Sequence, residues 1–191
     1  MKEIFDQFLI FRARSKGDAE AFGRLYDRYI EEIFRFIYFK VGSKETAQDI
    51  SSEVFLRLWK HVSSDNPVNN PRGYLFKIAR HLIADHYRRD EVKRPESIDK
   101  LVTFEAESAS TDSEGILSDS GTGGRKIETD ADAALMLKRI GCLKEDFRDV
   151  LMLRLVHGLS FKEISVVVEK KTGTVRVIFH RAMKALKATD N

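Results

Sequence analysis

Residues 160–187 read SFKEISVVVEKKTGTVRVIFHRAMKALK and decide the fold of the C-terminal part of the chain. Ser160, followed three residues later by Glu163, forms a capping box and predicts a helix that begins after Ser160. A second apolar period occupies residues 172–187, so we expect two short helices joined by a tight turn. This arrangement is typical of a helix-turn-helix.

The second of these helices divides into an apolar side and a basic side. Residues 170–187 contain six Lys or Arg and no Asp or Glu. A helix that enters the major groove of DNA needs long cations for phosphates and guanine edges, and short hydroxyls where the backbone comes close. The alternative is an ordinary solvated basic helix, but solvated faces usually mix both signs of charge. The pattern therefore favours nucleic-acid binding.

Three further helices are expected in the first half of the chain. Asp18 is a good N-cap for an apolar period that ends at Gly42, and Ser43 can cap the next helix, through residue 61. Pro71 is placed to begin a third helix, which runs toward residue 89. No strand pattern competes, so the predicted fold class is all-α.

Charge divides the chain into three segments. Lys plus Arg against Asp plus Glu is 18 to 15 in residues 1–96, 3 to 8 in residues 97–130 and 12 to 7 in residues 131–191. The middle segment is rich in Ser, Thr and Gly and has no apolar period. The sequence thus predicts two small helical domains, 1–96 and 131–191, joined by a flexible acidic linker. Basic ends and an acidic connector suit a polyanionic partner.

Composition narrows the class of protein. Cys142 is the only cysteine, which excludes an intrachain disulfide and a cysteine-based metal site, and we expect it to be buried. The apolar runs are short, and the first residues do not resemble a secretory signal, so a cytoplasmic protein is expected. We expect no cofactor, because the chain has no glycine-rich phosphate loop, nucleophile elbow or paired-carboxylate motif.

Aromatic and basic residues alternate in residues 72–94. Cations can follow phosphates while aromatic rings stack on unpaired bases, so this composition suits opened DNA. The alternative is that the aromatic residues belong to the core and the cations are solvated. The same stretch holds His81 and Asp85 at a spacing that can bind a metal, but no third His or Cys lies at ligand spacing. A metal-dependent nuclease is therefore a minor alternative, and we expect a protein that is not an enzyme.

Residues 47–59 read AQDISSEVFLRLW. Taken alone, their polar residues would form a solvated helix face. The stretch resembles region 2.2 of the extracytoplasmic-function branch of the sigma-70 family, whose usual form is A-E-D-L-V-Q-E-V-F-L-R-L-W. The resemblance implies docking on the clamp helices of core RNA polymerase through Asp49, Ser52, Glu53 and Leu56. Ser52 replaces the customary Gln.

Residues 71–80 read PRGYLFKIAR and resemble P-R-A-W-L-x-x-I-A-R, the start of the promoter-melting helix in this family. The resemblance implies that the preceding loop pockets a base flipped from the minus 10 element. The implied minus 10 residues are Asn66, Asn69, Asn70, Tyr74, Lys77, Arg80, His81, Arg88 and Arg89. Tyr74 stands where Trp is usual, and both rings can stack on a base.

Residues 158–164, GLSFKEI, and 173–176, GTVR, resemble region 4 of the same family. That region reads the minus 35 element in the major groove. The implied contact residues are Lys171, Thr172, Thr174, Arg176, Val177, His180, Arg181 and Lys184. The turn departs from the family pattern, because Glu169 and Lys170 stand where Gly and an apolar residue are common.

The resemblance implies a sigma factor that binds core RNA polymerase and recognises and opens promoter DNA. It also implies an anti-sigma factor as a further partner. The rival hypothesis is a stand-alone helix-turn-helix regulator, which would share the basic helix but would not bind core polymerase.

Overall fold

The computed structural model describes residues 2–93, 135–136 and 139–188. Its N-terminal part contains α1 (Lys2–Lys16), α2 (Ala19–Val41), α3 (Lys44–Ser63) and α4 (Pro71–Lys93). Its C-terminal part contains α5 (Glu145–Leu151), which continues into a π-helical turn (Met152–Val156), then α6 (Phe161–Val167) and α7 (Thr172–Ala188). These described residues form no strand, so the all-α prediction is confirmed. The predicted linker, 97–130, lies outside them.

Local hydrogen bonds and one glycine fix the start and end of α2 and the start of α3 where the sequence predicts them. Asp18 accepts a hydrogen bond from the Ala21 amide at 3.0 Å, and Ser43 accepts one from the Thr46 amide at 3.3 Å. Gly42 ends α2 with a φ of 72°, a left-handed conformation that glycine adopts without a Cβ clash. Each of the two side-chain caps stabilises its helix by about 1 kcal/mol.

The predicted apolar stripes of α2, α3 and α4 meet in a common core. Its fully buried members include Leu25, Ile33, Phe36, Ile37, Val54, Leu58, Leu75 and Phe76. Phe76 is thus a core residue, which agrees with the alternative that the aromatic residues of 72–94 belong to the core. Its ring does not present a surface on which a base could stack. The core fixes which side of each helix faces outward.

Helix α1 is an element that the sequence reasoning did not predict. It buries Leu9, Ile10 and Ala13 against the bundle. It also buries the carboxylate of Asp6, which accepts a hydrogen bond from Arg28 Nη1 at 2.6 Å and another from the Tyr29 hydroxyl. These two donors satisfy a charge that would otherwise be costly to bury.

The C-terminal part forms the predicted helix-turn-helix. The capping box is complete, since Ser160 Oγ accepts from the Glu163 amide at 3.2 Å and the Ser160 amide donates to Glu163 Oε2 at 2.7 Å. The turn between α6 and α7 contains Glu169 with a φ of 54°. A residue with a Cβ is disfavoured in this left-handed conformation.

The N-terminal and C-terminal parts share an apolar core. Val150, Leu153, Ile164 and Val167 belong to the same buried cluster as the core residues of α1 to α4, and α6 packs along α4. The parts therefore dock on one another in this structure.

The expectation for Cys142 is wrong, because its side chain is exposed. It lies in a turn after Ile140, where its amide donates to the Arg139 carbonyl at 3.2 Å. Among the described residues, no helix has the length and apolar character needed to span a bilayer.

Candidate nucleic-acid interface

The outer side of α7 carries the cations that the sequence singled out. Val175, Ala182 and Leu186 are buried and hold the helix against its domain. Exposed on the other side are Lys171, Thr174, Arg176, Val177, His180, Arg181 and Lys184, while Thr172 at the start of the helix is half-buried. The Arg176 guanidinium lies 5.8 Å from the centre of the Phe161 ring on α6. The structure thus gathers the predicted minus 35 residues on α7 and on Lys171 directly before it, and their contact with DNA stays a prediction.

The loop before α4 holds the three asparagines of the predicted base pocket. Asn66 and Asn69 are exposed. Asn70 caps α4, since its Oδ1 accepts a hydrogen bond from the Gly73 amide at 2.9 Å. The side chains of Asn66 and Asn69 are therefore accessible to a base, whereas the amide oxygen of Asn70 already accepts a hydrogen bond from α4.

Tyr74 is the aromatic residue of the predicted melting stretch that stays partly accessible near this loop. Its ring is half-buried and lies 4.9 Å from that of His61 on α3. Tyr87 is farther along α4, and its hydroxyl donates to the Lys40 carbonyl. Tyr74 is thus the better placed of the two rings to stack on a base beside the asparagines.

Three of the predicted minus 10 residues contact the C-terminal part. Lys77 Nζ lies 2.6 Å from Glu169 Oε1, and His81 Nε2 lies 3.0 Å from Glu169 Oε2. Arg80 Nε donates to Asp149 Oδ2 at 2.8 Å. Arg88 and Arg89 remain exposed. The hydrogen bond from Lys77, followed by that from His81, holds the pKa of Glu169 below its usual value.

Asp149 on α5 is a buried carboxylate that the sequence reasoning missed. Its side chain is 1% exposed and also binds Lys40 of α2. Burial alone would raise the pKa of Asp149, but the charges and hydrogen bonds of Lys40 and Arg80 outweigh burial and lower the pKa. A single aspartate in a predicted amphipathic helix gives no sequence signal for such a role, because both partners lie more than 60 residues away.

Arg72 makes a second junction between the two parts. Its guanidinium binds Glu32 on α2, with Nε 3.3 Å from Glu32 Oε2, and also donates to the His157 carbonyl. The His157 ring lies edge-on to Phe36 at 5.5 Å and to Phe76 at 5.1 Å. Burial, followed by the charges of Arg72 and Arg35, lowers the pKa of His157 to about 4. His157 is therefore neutral near pH 7.

The outer side of α3 presents a continuous polar patch. Its predicted polymerase contacts, Asp49, Ser52, Glu53 and Leu56, lie opposite the buried stripe of the helix. Leu56 is 44% exposed, and Glu53 Oε1 accepts a hydrogen bond from Arg57 Nε at 2.8 Å. The side chains that the resemblance assigns to core polymerase are therefore accessible on one side of α3.

The metal alternative is not supported by the geometry around His81. In the parts of the chain that the structure describes, no three His, Cys, Asp or Glu side chains are grouped to hold an ion. The His81 ring is instead engaged with Glu169 across the junction of the two parts.

Comparison with protein families matches both parts of the chain. Residues 25–92 match the model of Sigma-70 region 2, and residues 133–186 match that of Sigma-70, region 4. Among curated proteins, the ECF RNA polymerase sigma factor BldN of Streptomyces coelicolor is 34% identical over 93% of this chain. The chain spans 63% of the length of BldN.

Two other curated relatives are spanned almost fully. The ECF RNA polymerase sigma factor SigW of Bacillus subtilis is 29% identical over 90% of each chain. The ECF RNA polymerase sigma-E factor of Escherichia coli is 28% identical over 97% of this chain and 94% of its own.

Solved structures share the fold. CnrH, in complex with the cytosolic domain of CnrY, has a TM-score of 0.62 at 20% identity, over 97% of this chain and 96% of that one. RpoE of Bartonella quintana, in complex with the anti-sigma factor NepR, has a TM-score of 0.59 at 16% identity, over 87% of this chain and 94% of that one.

Proposed function

Because this chain belongs to the extracytoplasmic-function type of the sigma-70 family, the RNA polymerase sigma factors of promoter-specific transcription initiation, we propose a division of labour between its domains. The N-terminal domain, residues 1–96, binds core polymerase and the minus 10 element. The C-terminal domain, residues 131–191, binds the minus 35 element. The family is not a class of enzymes, and the proposed mechanism contains no covalent step.

The exposed patch on α3 carries this proposal, because it separates a sigma factor from a stand-alone regulator. Asp49, Ser52, Glu53 and Leu56 project from a helix whose other side is fixed in the core. Charged residues at the rim of an interface steer association, and an apolar residue among them gives a buried contact. We assign these four side chains to the contact with core polymerase.

Promoter opening follows from selective binding to the separated strand. Asn66, Asn69 and Asn70 offer amide donors and acceptors to a flipped base, and Tyr74 offers a ring for stacking. Stacking contributes roughly 1–3 kcal/mol per base and offsets part of the cost of unpairing. The cations that would hold the strand phosphates are Lys77, Arg80, His81, Arg88 and Arg89.

The minus 35 assignment predicts a selective defect in Arg176→Ala. Arg176 is exposed on the basic side of α7, and loss of one base-reading arginine is expected to weaken duplex binding by about 1–3 kcal/mol. The measurement is fluorescence anisotropy with duplex DNA from a promoter that the reconstituted holoenzyme transcribes. Lys144→Ala, which removes an exposed cation outside α7, is the control. Equal loss of core binding in Arg176→Ala would contradict the division of labour.

The test of the proposed function is comigration of the purified chain with bacterial core RNA polymerase on gel filtration. We expect a stable complex with the intact chain, and at least about tenfold weaker binding for Asp49→Arg/Glu53→Arg, since two reversed charges would disrupt a complementary interface. Glu20→Arg/Asp27→Arg, which reverses two exposed acids on α2, should bind as the intact chain does. Failure of the intact chain to comigrate would favour the stand-alone regulator.

An anti-sigma factor is proposed as a further partner, and the cytoplasm, where polymerase and DNA meet, as the site of action. The solved relative RpoE is bound by an anti-sigma factor. A partner of this kind would act by covering the α3 patch or the nucleic-acid surfaces. Copurification of the tagged chain from its native cells, followed by identification of the bound proteins, tests this proposal.

A further inference from the structure

In the docked arrangement, acidic groups of the C-terminal domain contact part of the proposed minus 10 surface. Lys77, Arg80 and His81 lie on α4, and all three contact carboxylates of the other domain. Carboxylates and strand phosphates bind lysine and arginine through the same donor groups. A strand phosphate would therefore compete with these carboxylates for Lys77 and Arg80.

Glu169 makes two of these contacts, and its backbone has a conformation that is unfavourable for residues other than glycine. Its φ of 54° is better suited to glycine. In that position its carboxylate reaches Lys77 at 2.6 Å and His81 at 3.0 Å. The turn of the helix-turn-helix therefore carries an acidic side chain directly to the strand-binding face of the other domain.

Asp149 gives the contact a buried anchor. It joins Lys40 of α2 and Arg80 of α4 to α5, and only 1% of its side chain is exposed. Removing one member of a buried ion pair leaves an uncompensated charge, so this group favours the docked state strongly only while all three partners are present.

The asparagine loop also faces the other domain. A cleft of about 590 Å³ is lined by Asn69 and Asn70 of this loop and by Ser160 and Lys162 at the start of α6. A flipped base entering this loop would have to share the cleft with the N-terminal end of α6. The base pocket and the phosphate contacts are thus restricted by the same domain.

The duplex-reading side of α7 is placed differently. Arg176, His180, Arg181 and Lys184 are exposed in the same docked arrangement. The docked arrangement therefore obstructs the proposed single-strand surface on α4 and leaves the proposed duplex surface on α7 accessible.

We propose that the C-terminal domain acts as an intramolecular inhibitor of single-strand binding, with Glu169 and Asp149 as its contacts, while it leaves duplex binding by α7 available. This inference rests on the proposed function for its assignment of the two DNA surfaces. Separation of the domains must precede capture of the melted strand, and the apparent affinity for single strands is reduced by the fraction of chains that are open.

The experiment compares the intact full-length chain with Asp149→Asn/Glu169→Gln. Small-angle X-ray scattering should give a larger radius of gyration for the variant. Fluorescence anisotropy should show at least about tenfold tighter binding of a short labelled single-stranded DNA of random sequence. Binding of a random-sequence duplex should change less than about threefold, the small rise expected from two fewer negative charges.

Glu20→Gln/Asp27→Asn is the matched control, because it removes the same two acid types from exposed positions on α2. It should leave the radius of gyration unchanged and should shift both DNA affinities equally. Glu169→Gly is a second test that relieves the strained turn and cannot unfold the domain by crowding, and it should also tighten single-strand binding. Unchanged radius and single-strand affinity in both variants would overturn the proposal. Comigration with core polymerase is measured separately, so failure of the sigma-factor assignment would be recognised by itself.

Discussion

Phe36→Ala is expected to lower the free energy of unfolding by about 3–5 kcal/mol, the usual loss for a large aromatic side chain removed from a closed core. Phe36 is 1% exposed. Its ring lies edge-on to Phe76 at 5.0 Å and to His157 at 5.5 Å. The substitution therefore opens a cavity where α2, α4 and the C-terminal domain meet.

The same substitution should also loosen the docking of the two domains. Lys40 Nζ lies 5.6 Å from the centre of the Phe36 ring, and this lysine binds the buried Asp149. Without the ring, both the lysine and His157 lose a neighbour that excludes water from the junction.

Urea denaturation followed by circular dichroism measures the effect of Phe36→Ala. The control is Phe34→Ala, which removes a half-buried ring stacked on Tyr38 at 5.9 Å and should lose roughly half as much stability or less, since less apolar surface leaves the core. Similar losses in the two variants would contradict the greater contribution that its full burial assigns to Phe36.

The local features of the fold could be predicted because their causes are local. Asp18, Gly42, Ser43 and the capping box at Ser160 each act on a backbone group within a few residues. The residues that satisfy the free backbone amides and carbonyls at a helix end are therefore close to that end in the sequence. The apolar period likewise identified the inward side of α7 before any partner helix was known.

The junction between the domains could not be predicted from sequence. Asp149 meets Lys40 and Arg80 only after the whole bundle has assembled, and none of the three interrupts its own helical pattern. The turn at Glu169 was recognised as a departure from the family pattern. Its partners on α4 were not, because a charge in the sequence carries no information about which distant cation it will meet.

Helix α1 was missed for a related reason. Its outer side carries exposed Ile4, Phe5, Phe8 and Phe11, so apolar residues occur on both sides and the period is weak. Asp6 further obscures the buried side, since a carboxylate is not expected in a core unless donors such as Tyr29 are already in place.

Acidification is expected to separate the two domains through His157. The pKa of His157 is about 4 in the docked structure, where burial is the main cause, against an ordinary value of 6.5. Below 6.5 an undocked His157 takes up a proton that the docked one cannot hold. Docking is therefore fully favoured above 6.5 and weakens as the pH falls toward 4. Between about pH 7.5 and pH 5, the docking equilibrium should fall roughly thirtyfold, or about 2 kcal/mol.

The charged groups around His157 support this sign. Arg72 and Arg35 oppose its protonation, and Glu32, whose Oε1 lies 3.9 Å from His157 Nδ1, is already bound to Arg72. The pKa of Asp149 is lowered by Lys40 and Arg80 against the effect of burial, so this carboxylate stays charged over the same range.

Substitution of His157 tests this assignment. In His157→Phe the ring can keep its edge-on contacts with Phe36 and Phe76 but cannot accept a proton, so the radius of gyration should stay constant from about pH 7.5 to pH 5. The intact chain should expand over that range. Equal expansion of the intact chain and His157→Phe would assign the acid response to another group.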